Sequence, residues 1–170
     1  GGVILTVRAY IQQHGVRSED VLMSVLTLGH ANAQVMCLFT AIGAGATAVF
    51  YPRFSASSFW KWAAECGATC VNMLGAVSAY LWAAEPSEWD KKHSVRSVLS
   101  GPAPKQIKEF QERFNTRVID GYGSTEMGMA LWNDPEDTRP GGSGYPMEGY
   151  YLELRDPENT SRVMRPFWDP

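Results

Sequence analysis

One stretch, residues 118–126, places a tyrosine, two hydroxyls and a carboxylate behind a short apolar run: Val118-Ile119-Asp120-Gly121-Tyr122-Gly123-Ser124-Thr125-Glu126. A phenol ring can stack on a purine, a hydroxyl can donate to a phosphate oxygen, and a carboxylate can hold a hard cation. The two glycines let the backbone turn and approach a ligand closely. The stretch therefore predicts a nucleotide site. A strand that ends in a turn, with Thr125 capping the next element, fits the same residues.

Upstream of this stretch, short apolar runs alternate with runs of helical spacing. The pattern predicts strands and helices in turn, with strands over 21–28, 47–50, 69–74, 95–99 and 118–120 and helices over 33–42, 57–65, 77–84 and 105–114. Such alternation favours an α/β fold with a mostly parallel sheet and helices on both faces. A further helix is expected before the first strand, with Ile4, Val7 and Ile11 on its apolar face.

Polar or small residues follow several of the predicted strands. His30, Gly75-Ala76, Ser100-Gly101 and Tyr122 to Glu126 each come after a different one. Ligands of open α/β sheets bind beyond the carboxyl ends of the strands. The topology thus predicts one site at the edge that these residues share.

The chain changes character after Asn133. Residues 134–142 are rich in proline, glycine and acids, which is typical of a surface loop. Residues 150–155 alternate like one strand, and 159–170 show no period. We therefore expect an α/β ligand-binding subdomain over 1–133, and a turn-rich loop with the start of a β subdomain over 134–170.

Composition excludes several classes of protein. The chain is 45% hydrophobic and 19% charged with a net charge of -3, and without clustered basic residues we expect no nucleic-acid partner. Three cysteines without zinc-ligand spacing predict free, buried thiols in a reducing cytoplasm. His14 at a helix end and His93 in a charged loop are expected to be solvated.

A membrane span needs consideration because residues 21–52 contain no Asp, Glu, Lys or Arg. Polar His30, Asn32 and Gln34 lie inside this run, and Gly43 and Gly45 interrupt it. A span needs about 20 predominantly apolar residues. A buried strand-helix-strand unit explains the run better, so no membrane span is expected.

Several segments resemble one enzyme family. Tyr122-Gly123-Ser124-Thr125-Glu126 resembles the Tyr-Gly-x-Thr-Glu motif of the adenylate-forming superfamily. Val98-Leu99-Ser100-Gly101-Pro102-Ala103-Pro104 resembles its Ser-Gly-x-Ala-Pro turn, and Gly142-Ser143-Gly144-Tyr145-Pro146-Met147-Glu148-Gly149 resembles its Gly-x-Gly-x-Pro-x-x-Gly segment. The resemblance covers about residues 3–156. Within the superfamily the chain is most similar to acyl-CoA synthetases of the carnitine/crotonobetaine-CoA ligase type.

The resemblance implies roles in binding ATP or AMP. Glu126 matches the motif carboxylate that binds Mg²⁺, Thr125 the hydroxyl on the AMP phosphate, and Tyr122 the ring stacked on adenine. Glu126 and Thr125 would be the catalytic pair. Backbone groups would complete the nucleotide slot at Ser100, Gly101, Pro102, Asp120, Gly121 and Gly123. Pro102 stands where the family commonly has Gly or Ala, and proline has no amide proton to donate.

The resemblance also implies an acyl pocket and a reaction. His30, Gly75, Ala76 and Met127 would line the pocket, although His30 by itself also fits a histidine satisfied inside the core. Small residues there leave room for a medium or long acyl chain. The implied reaction joins a carboxylic acid to ATP as an acyl-adenylate, releases pyrophosphate, and transfers the acyl group to CoA.

Other parts of the family pattern lie outside these residues. The resemblance places the phosphate loop just before Gly1 and puts the ribose-binding aspartate and the catalytic lysine beyond the chain. We therefore expect an internal fragment that does not turn over alone, since loss of one preorganised donor costs about 10²–10³ in rate. Exposed sheet edges would favour association. An adenylation domain that loads a carrier protein, and a non-catalytic nucleotide-binding remnant, both stay open.

Overall fold

Five parallel strands form the central sheet in the computed structural model, which describes residues 2–133 and 142–164. Their spatial order is β2-β1-β3-β4-β5, and every neighbouring pair is parallel. The strands are β1 (Val21–Ser24), β2 (Thr47–Phe50), β3 (Cys70–Leu74), β4 (Ser97–Gly101) and β5 (Arg117–Ile119). The predicted fold class is confirmed. The predicted first strand was too long, because the chain leaves the sheet at Ser24, whose hydroxyl accepts the Leu26 N–H at 3.1 Å.

Helices cover both faces of this sheet. One face carries α1 (Gly2–His14), a π-helix (Asn32–Phe39) and α2 (Thr40–Ala44), and the other carries α3 (Phe59–Glu65), α4 (Gly75–Ala83) and α5 (Ile107–Phe114). A 3₁₀ turn, Glu88–Asp90, precedes β4. Successive side chains of each strand point into the two hydrophobic cores, one on each face of the sheet, as expected for a sheet that is buried on both sides. The predicted helix over 33–42 exists, but the wider π turn occupies its first part.

The buried face of α1 differs from the predicted one. Thr6, Val7, Tyr10 and His14 are buried, whereas Ile4 is 59% exposed. The ring of His14 stacks on that of Tyr10 with centroids 4.0 Å apart. Because these aromatic rings pack inwards, the buried face of α1 is rotated from the face that the spacing of aliphatic residues predicted. The expectation that His14 is solvated was wrong.

His93 is also less exposed than expected. Its ring stacks on Trp60 at a centroid distance of 4.4 Å, and burial lowers the pKa of the imidazole. The prediction of a solvated side chain was therefore wrong here as well. The three cysteines are free; Cys37 and Cys70 are buried as predicted, whereas Cys66 is only half-buried.

The chain continues beyond the parallel sheet as a small antiparallel one. Strands β6 (Gly121–Ser124), β7 (Gly128–Trp132) and β8 (Tyr145–Pro146) pair in that order, and β9 (Leu154–Arg155) pairs with β10 (Val163–Met164). The predicted strand over 150–155 was wrong except for its last two residues, and β10 lies in the tail expected to be irregular. Most of the loop predicted at 134–142, residues 134–141, and the end of the tail, 165–170, lie outside the described residues. Among the residues described, no helix is long and apolar enough to span a membrane.

Candidate active site

The predicted nucleotide motif lies on a β-hairpin. Asp120 connects β5 directly to β6, and residues 125–127 form the turn to β7. Tyr122 is therefore on a strand, whereas Thr125 and Glu126 are at the tip of the hairpin. The sequence predicted only a turn at this place. The apolar run 129–132, which becomes β7, was the signal for a second strand.

The two glycines of the motif are required by the close pairing of β6 and β7. A Cβ at Gly123 would lie 2.3 Å from the carbonyl oxygen of Gly128, and one at Gly121 would lie 2.6 Å from that of Leu131. Both distances are far inside van der Waals contact. Gly121 and Gly123 are thus needed for the hairpin itself. From the sequence, a different task was expected for them, the close approach of the backbone to a ligand.

A cavity of about 800 Å³ lies at the carboxyl ends of β3, β4 and β5. Tyr122 and Glu126 both contribute to its wall, so the two residues expected to serve one ligand share one cleft. The structure brings most of the predicted site residues to this wall, namely His30, Gly101, Pro102, Asp120, Gly121, Tyr122, Gly123, Thr125, Glu126 and Met127.

Three predicted site residues do not line the described part of this cavity. Ser100 is fully buried behind it, and its hydroxyl donates to the Pro102 carbonyl at 3.0 Å. Gly75 begins α4, where a Cβ would lie 2.9 Å from the Pro102 ring. Ser100 and Gly75 therefore support the Pro102 turn from behind, and Ala76 is exposed elsewhere.

The two carboxylates of the site have opposite electrostatic environments. Burial raises the pKa of Asp120, although the Gly121 N–H donates to its Oδ1 at 2.7 Å and offsets part of this cost. The Ser124 hydroxyl lowers the pKa of the exposed Glu126 carboxyl. Glu126 is thus the better candidate for an ionised cation ligand at neutral pH.

The backbone determines which ring nitrogen of His30 carries the proton. The N–H of Asn32 donates to His30 Nδ1 at 3.1 Å, so Nδ1 is the acceptor and Nε2 bears the hydrogen in the neutral ring. His30 lines the cavity on the side of the π-helix. It can therefore offer a hydrogen-bond donor to a bound molecule.

Other residues of the cavity wall were missed by sequence analysis. Thr6 comes from α1, Val35 and Met36 come from the π-helix, and Leu99 comes from β4. They carry no recognisable chemical motif. Their positions on elements flanking the strand ends were the available signal, and π-helical turns are frequent at functional sites.

The donor set at the hairpin tip suits one kind of cation. Within 2–133 and 142–164, no group of three or more His, Cys, Asp or Glu side chains could hold a metal by itself. Mg²⁺ is commonly held by one or two carboxylates together with substrate phosphates and waters. The single exposed carboxylate of Glu126 fits this mode of Mg²⁺ coordination.

Comparison with known proteins agrees with this geometry. A family model described as AMP-binding enzyme matches residues 2–165. The chain belongs to the AMP-binding enzyme family. As a member of that family, it is 32% identical over 151 residues to a crotonobetaine/carnitine–CoA ligase of Proteus mirabilis (strain HI4320). The match covers 86% of this chain and 29% of the ligase.

A second relative of this AMP-binding chain carries a different name. It is 36% identical over 121 residues to long-chain fatty acid transport protein 5 of Mus musculus, covering 70% of this chain and 18% of that protein. The chain thus spans less than a third of the length of either relative.

Solved structures share the AMP-binding fold. An anthranilate CoA ligase in complex with anthranoyl-AMP superposes with a TM-score of 0.83 at 26% identity, covering 94% of this chain and 32% of that one. A benzoate CoA ligase from Burkholderia xenovorans LB400 gives a TM-score of 0.80 at 23% identity, covering 94% and 34%. The second likeness supports the fold alone.

Proposed function

We propose that this chain supplies the nucleotide- and acyl-binding part of an AMP-forming acid–thiol ligase that activates a carboxylic acid with ATP and transfers it to CoA. One observation carries the proposal: Tyr122, Thr125 and Glu126 share one cavity with Asp120 and His30 at the carboxyl ends of the parallel strands. The family to which the chain belongs supports the same reaction class.

Adenine recognition is proposed to depend on Tyr122 and on the backbone around it. The tyrosine side chain is 56% exposed, which leaves its ring free to stack on a purine. Gly101, Pro102 and Asp120 line the same cavity as this ring, and Pro102 has no amide proton to donate there. The anthranilate CoA ligase to which the chain is similar is in complex with anthranoyl-AMP, which supports an adenylate in this cavity.

The hairpin tip is proposed to hold the phosphate and the cation. The Thr125 hydroxyl donates to the α-phosphate, and the ionised Glu126 carboxylate holds Mg²⁺. When bound, Mg²⁺ neutralises negative charge that otherwise opposes attack by an anionic carboxylate on an anionic phosphate. This chain's own contribution is to place a hydroxyl and a carboxylate side by side on a short turn.

The acid is proposed to enter beside the π-helix. His30 lines this end of the cleft, and its Nε2–H is the donor that remains for the acid because Nδ1 accepts the Asn32 N–H. Met127, Val35, Met36 and Leu99 supply apolar wall. We assign no lining role to Gly75 or Ala76, because neither lies on the described wall. The CoA ligases among the relatives favour CoA over a carrier protein as the acceptor.

The remaining aspects of the proposal concern the organisation and location of the chain. We propose that 1–133 acts as the ligand-binding subdomain and that 134–170 begins a following unit, in a cytoplasmic protein. Strand β8 pairs with β7, so the two segments are in contact through this pair of strands.

Nucleotide titration tests the proposal directly. AMP with Mg²⁺ should bind the 170-residue chain, as followed by isothermal titration calorimetry. Tyr122→Ala should weaken AMP binding about 5- to 150-fold, because stacking on an aromatic ring contributes about 1–3 kcal/mol per base. Glu126→Gln should remove the effect of Mg²⁺ on affinity while AMP alone still binds.

Lys61→Gln serves as the control, because this half-exposed residue lies on α3 and pairs with Glu65 at 3.7 Å. If neither Tyr122→Ala nor Glu126→Gln changes binding relative to this control, both residue assignments are wrong. If AMP does not bind the unmodified chain at all, the nucleotide site itself is wrong.

A further inference from the structure

The turn that carries Thr125 and Glu126 has little support from its own residues. Residues 123–127 are exposed, and their contacts with one another depend on one side chain: the Ser124 hydroxyl hydrogen-bonds the Glu126 carboxyl and accepts the Met127 N–H at 3.4 Å. An exposed turn of this kind samples several arrangements unless outside contacts hold it. A phosphate and a cation ligand need a defined separation, so the source of that support matters.

Tyr150 holds the turn from the segment that follows the hairpin. Its hydroxyl donates a hydrogen bond to the carbonyl oxygen of Met127. Tyr150 is itself anchored to the hairpin, because its N–H donates to the Met147 carbonyl at 3.0 Å and the Met147 N–H donates to the Ala130 carbonyl at 2.9 Å. The tip of the hairpin is thus connected back to β7 through a tyrosine over 20 residues away in sequence.

Gly128 shows that the turn is enclosed from two sides. It has φ +73°, and a Cβ there would lie 2.7 Å from Thr6 Oγ1 and 3.3 Å from the Tyr150 hydroxyl oxygen. Thr6 is buried on α1. The residue after Met127 therefore lies between the first helix and Tyr150, and neither neighbour belongs to the nucleotide motif.

From these contacts we infer that Tyr150 is a positioning residue for the phosphate- and cation-binding turn, acting through the Met127 carbonyl. The inference rests on the proposed function, since it assigns a task to the same turn. Removal of the hydroxyl frees the turn, and Thr125 and Glu126 then lose their defined position relative to the Tyr122 ring. Contacts to adenine alone, made by Tyr122 and the Pro102 turn, do not depend on this bond.

Tyr150→Phe separates these two effects. By calorimetry with AMP and Mg²⁺, the variant should bind about 2- to 12-fold more weakly than the unmodified chain, the range expected for one net hydrogen bond. Adenosine, which has no phosphate, should bind both proteins equally. A variant that had merely loosened the whole fold would lose affinity for adenosine too.

Tyr151→Phe is the matched control. It is the neighbouring tyrosine, 85% exposed, and its hydroxyl donates to Glu153 at 2.7 Å, away from the turn. Hydrogen exchange adds a readout without ligand: amides of 124–129 should exchange faster in Tyr150→Phe and unchanged in Tyr151→Phe.

The outcomes are distinguishable. Faster exchange at the turn, with AMP binding weakened and adenosine binding retained, supports the inference. If the unmodified chain binds both adenosine and AMP, and Tyr150→Phe binds both equally well, the positioning role is wrong and the proposed function stands. If the unmodified chain binds neither adenosine nor AMP, the proposed function fails and the positioning role fails with it.

Discussion

His14 shows at the residue scale how a polar residue can become part of a core. Its Nδ1 lies 2.6 Å from Ser97 Oγ, and its Nε2 finds no partner among the described residues. Burial is the largest cause of a pKa lowered to about 3, and the nearby Arg117 and Arg96 add to it. The ring is therefore neutral in the folded chain at any pH near neutrality.

Acid should destabilise the fold through this residue. The unfolded chain binds a proton at His14 below pH about 6.5, whereas the folded chain does so only near pH 3. The stability that the neutral His14 ring gives the fold is therefore fully present above pH about 6.5, and it is lost progressively as the pH falls towards 3. Between pH 7.5 and 5 we expect His14 to account for a loss of about 2 kcal/mol in the free energy of unfolding. Urea titrations across this range measure it.

His14→Gln should flatten this dependence while Lys61→Gln leaves it unchanged. His93 contributes in the same direction, because its pKa is also lowered, so some slope should persist in the variant. An equal slope in His14→Gln and in the unmodified chain would show that the imidazole is protonated within the fold.

At the scale of elements, the hairpin of β6 and β7 depends on the absence of side chains at two positions. Strand β6 is irregularly paired, with a register shift between Tyr122 and Gly123. The atoms nearest to a Cβ at Gly123 belong to the backbone of Gly128 and Met129. Backbone cannot move aside as a flexible side chain can, so the pairing itself must break or shift.

Gly123→Ala should therefore destabilise the hairpin. We expect a cost of about 1–3 kcal/mol in the free energy of unfolding, the usual range for overpacking, together with loss of AMP binding. Gly2→Ala is the control, because a Cβ at Gly2 meets nothing within 4 Å. Unfolding midpoints in urea that agree for the two variants would contradict the predicted clash.

Arg113 connects separate elements at the scale of the whole molecule. From α5, its Nε donates to Asp90 Oδ2 at 2.8 Å and its two terminal nitrogens donate to the carbonyls of Trp82 and Ala84, each at 2.8 Å. Arg113 and Asp90 side chains are only 18% and 11% exposed. This one side chain joins α5, the end of α4 and the 3₁₀ turn before β4.

Arg113→Met should cost about 3–5 kcal/mol of stability, because it leaves the Asp90 carboxylate buried without its partner. Lys92→Met, which removes an exposed ion pair to Glu88, should cost less than about 1 kcal/mol. Chemical unfolding of both variants gives the comparison. The Arg113→Met/Asp90→Asn double variant should recover part of the lost free energy of unfolding. If it does not, the destabilisation by Arg113→Met comes from lost packing and not from the unpaired carboxylate.

Association is also a property of the whole molecule. Strand β2 lies at one edge of the sheet, and Ile42 on the adjoining α2 is 69% exposed. We propose that the isolated chain associates through this edge, and that Ile42→Lys weakens association about tenfold or more, since burying an isoleucine contributes about 1.5–3 kcal/mol. Gln34→Lys is the control. Sedimentation equilibrium that finds only monomer at high concentration would contradict the proposal.

Local pattern was sufficient for the fold class, for the strand at 47–50, for the helices on both faces of the sheet, and for the meeting of most candidate site residues at the carboxyl ends of the strands. The helices and strands follow from the spacing of hydrophobic residues, which is visible in short stretches of sequence. The position of the cleft follows from the common direction of parallel strands. The motif 122–126 was visible because its chemistry is contiguous in the chain.

Packing between distant segments determined the rest. The burial of His14, the rotation of α1, the hairpin that contains the motif, and the contact of Tyr150 with Met127 all join residues well separated in sequence. No periodic signal marks such contacts, because each depends on which surfaces meet after the sheet has formed. The sequence specified the candidate groups at 122–126, and long-range packing specified the hairpin that carries them and the neighbours that contact it.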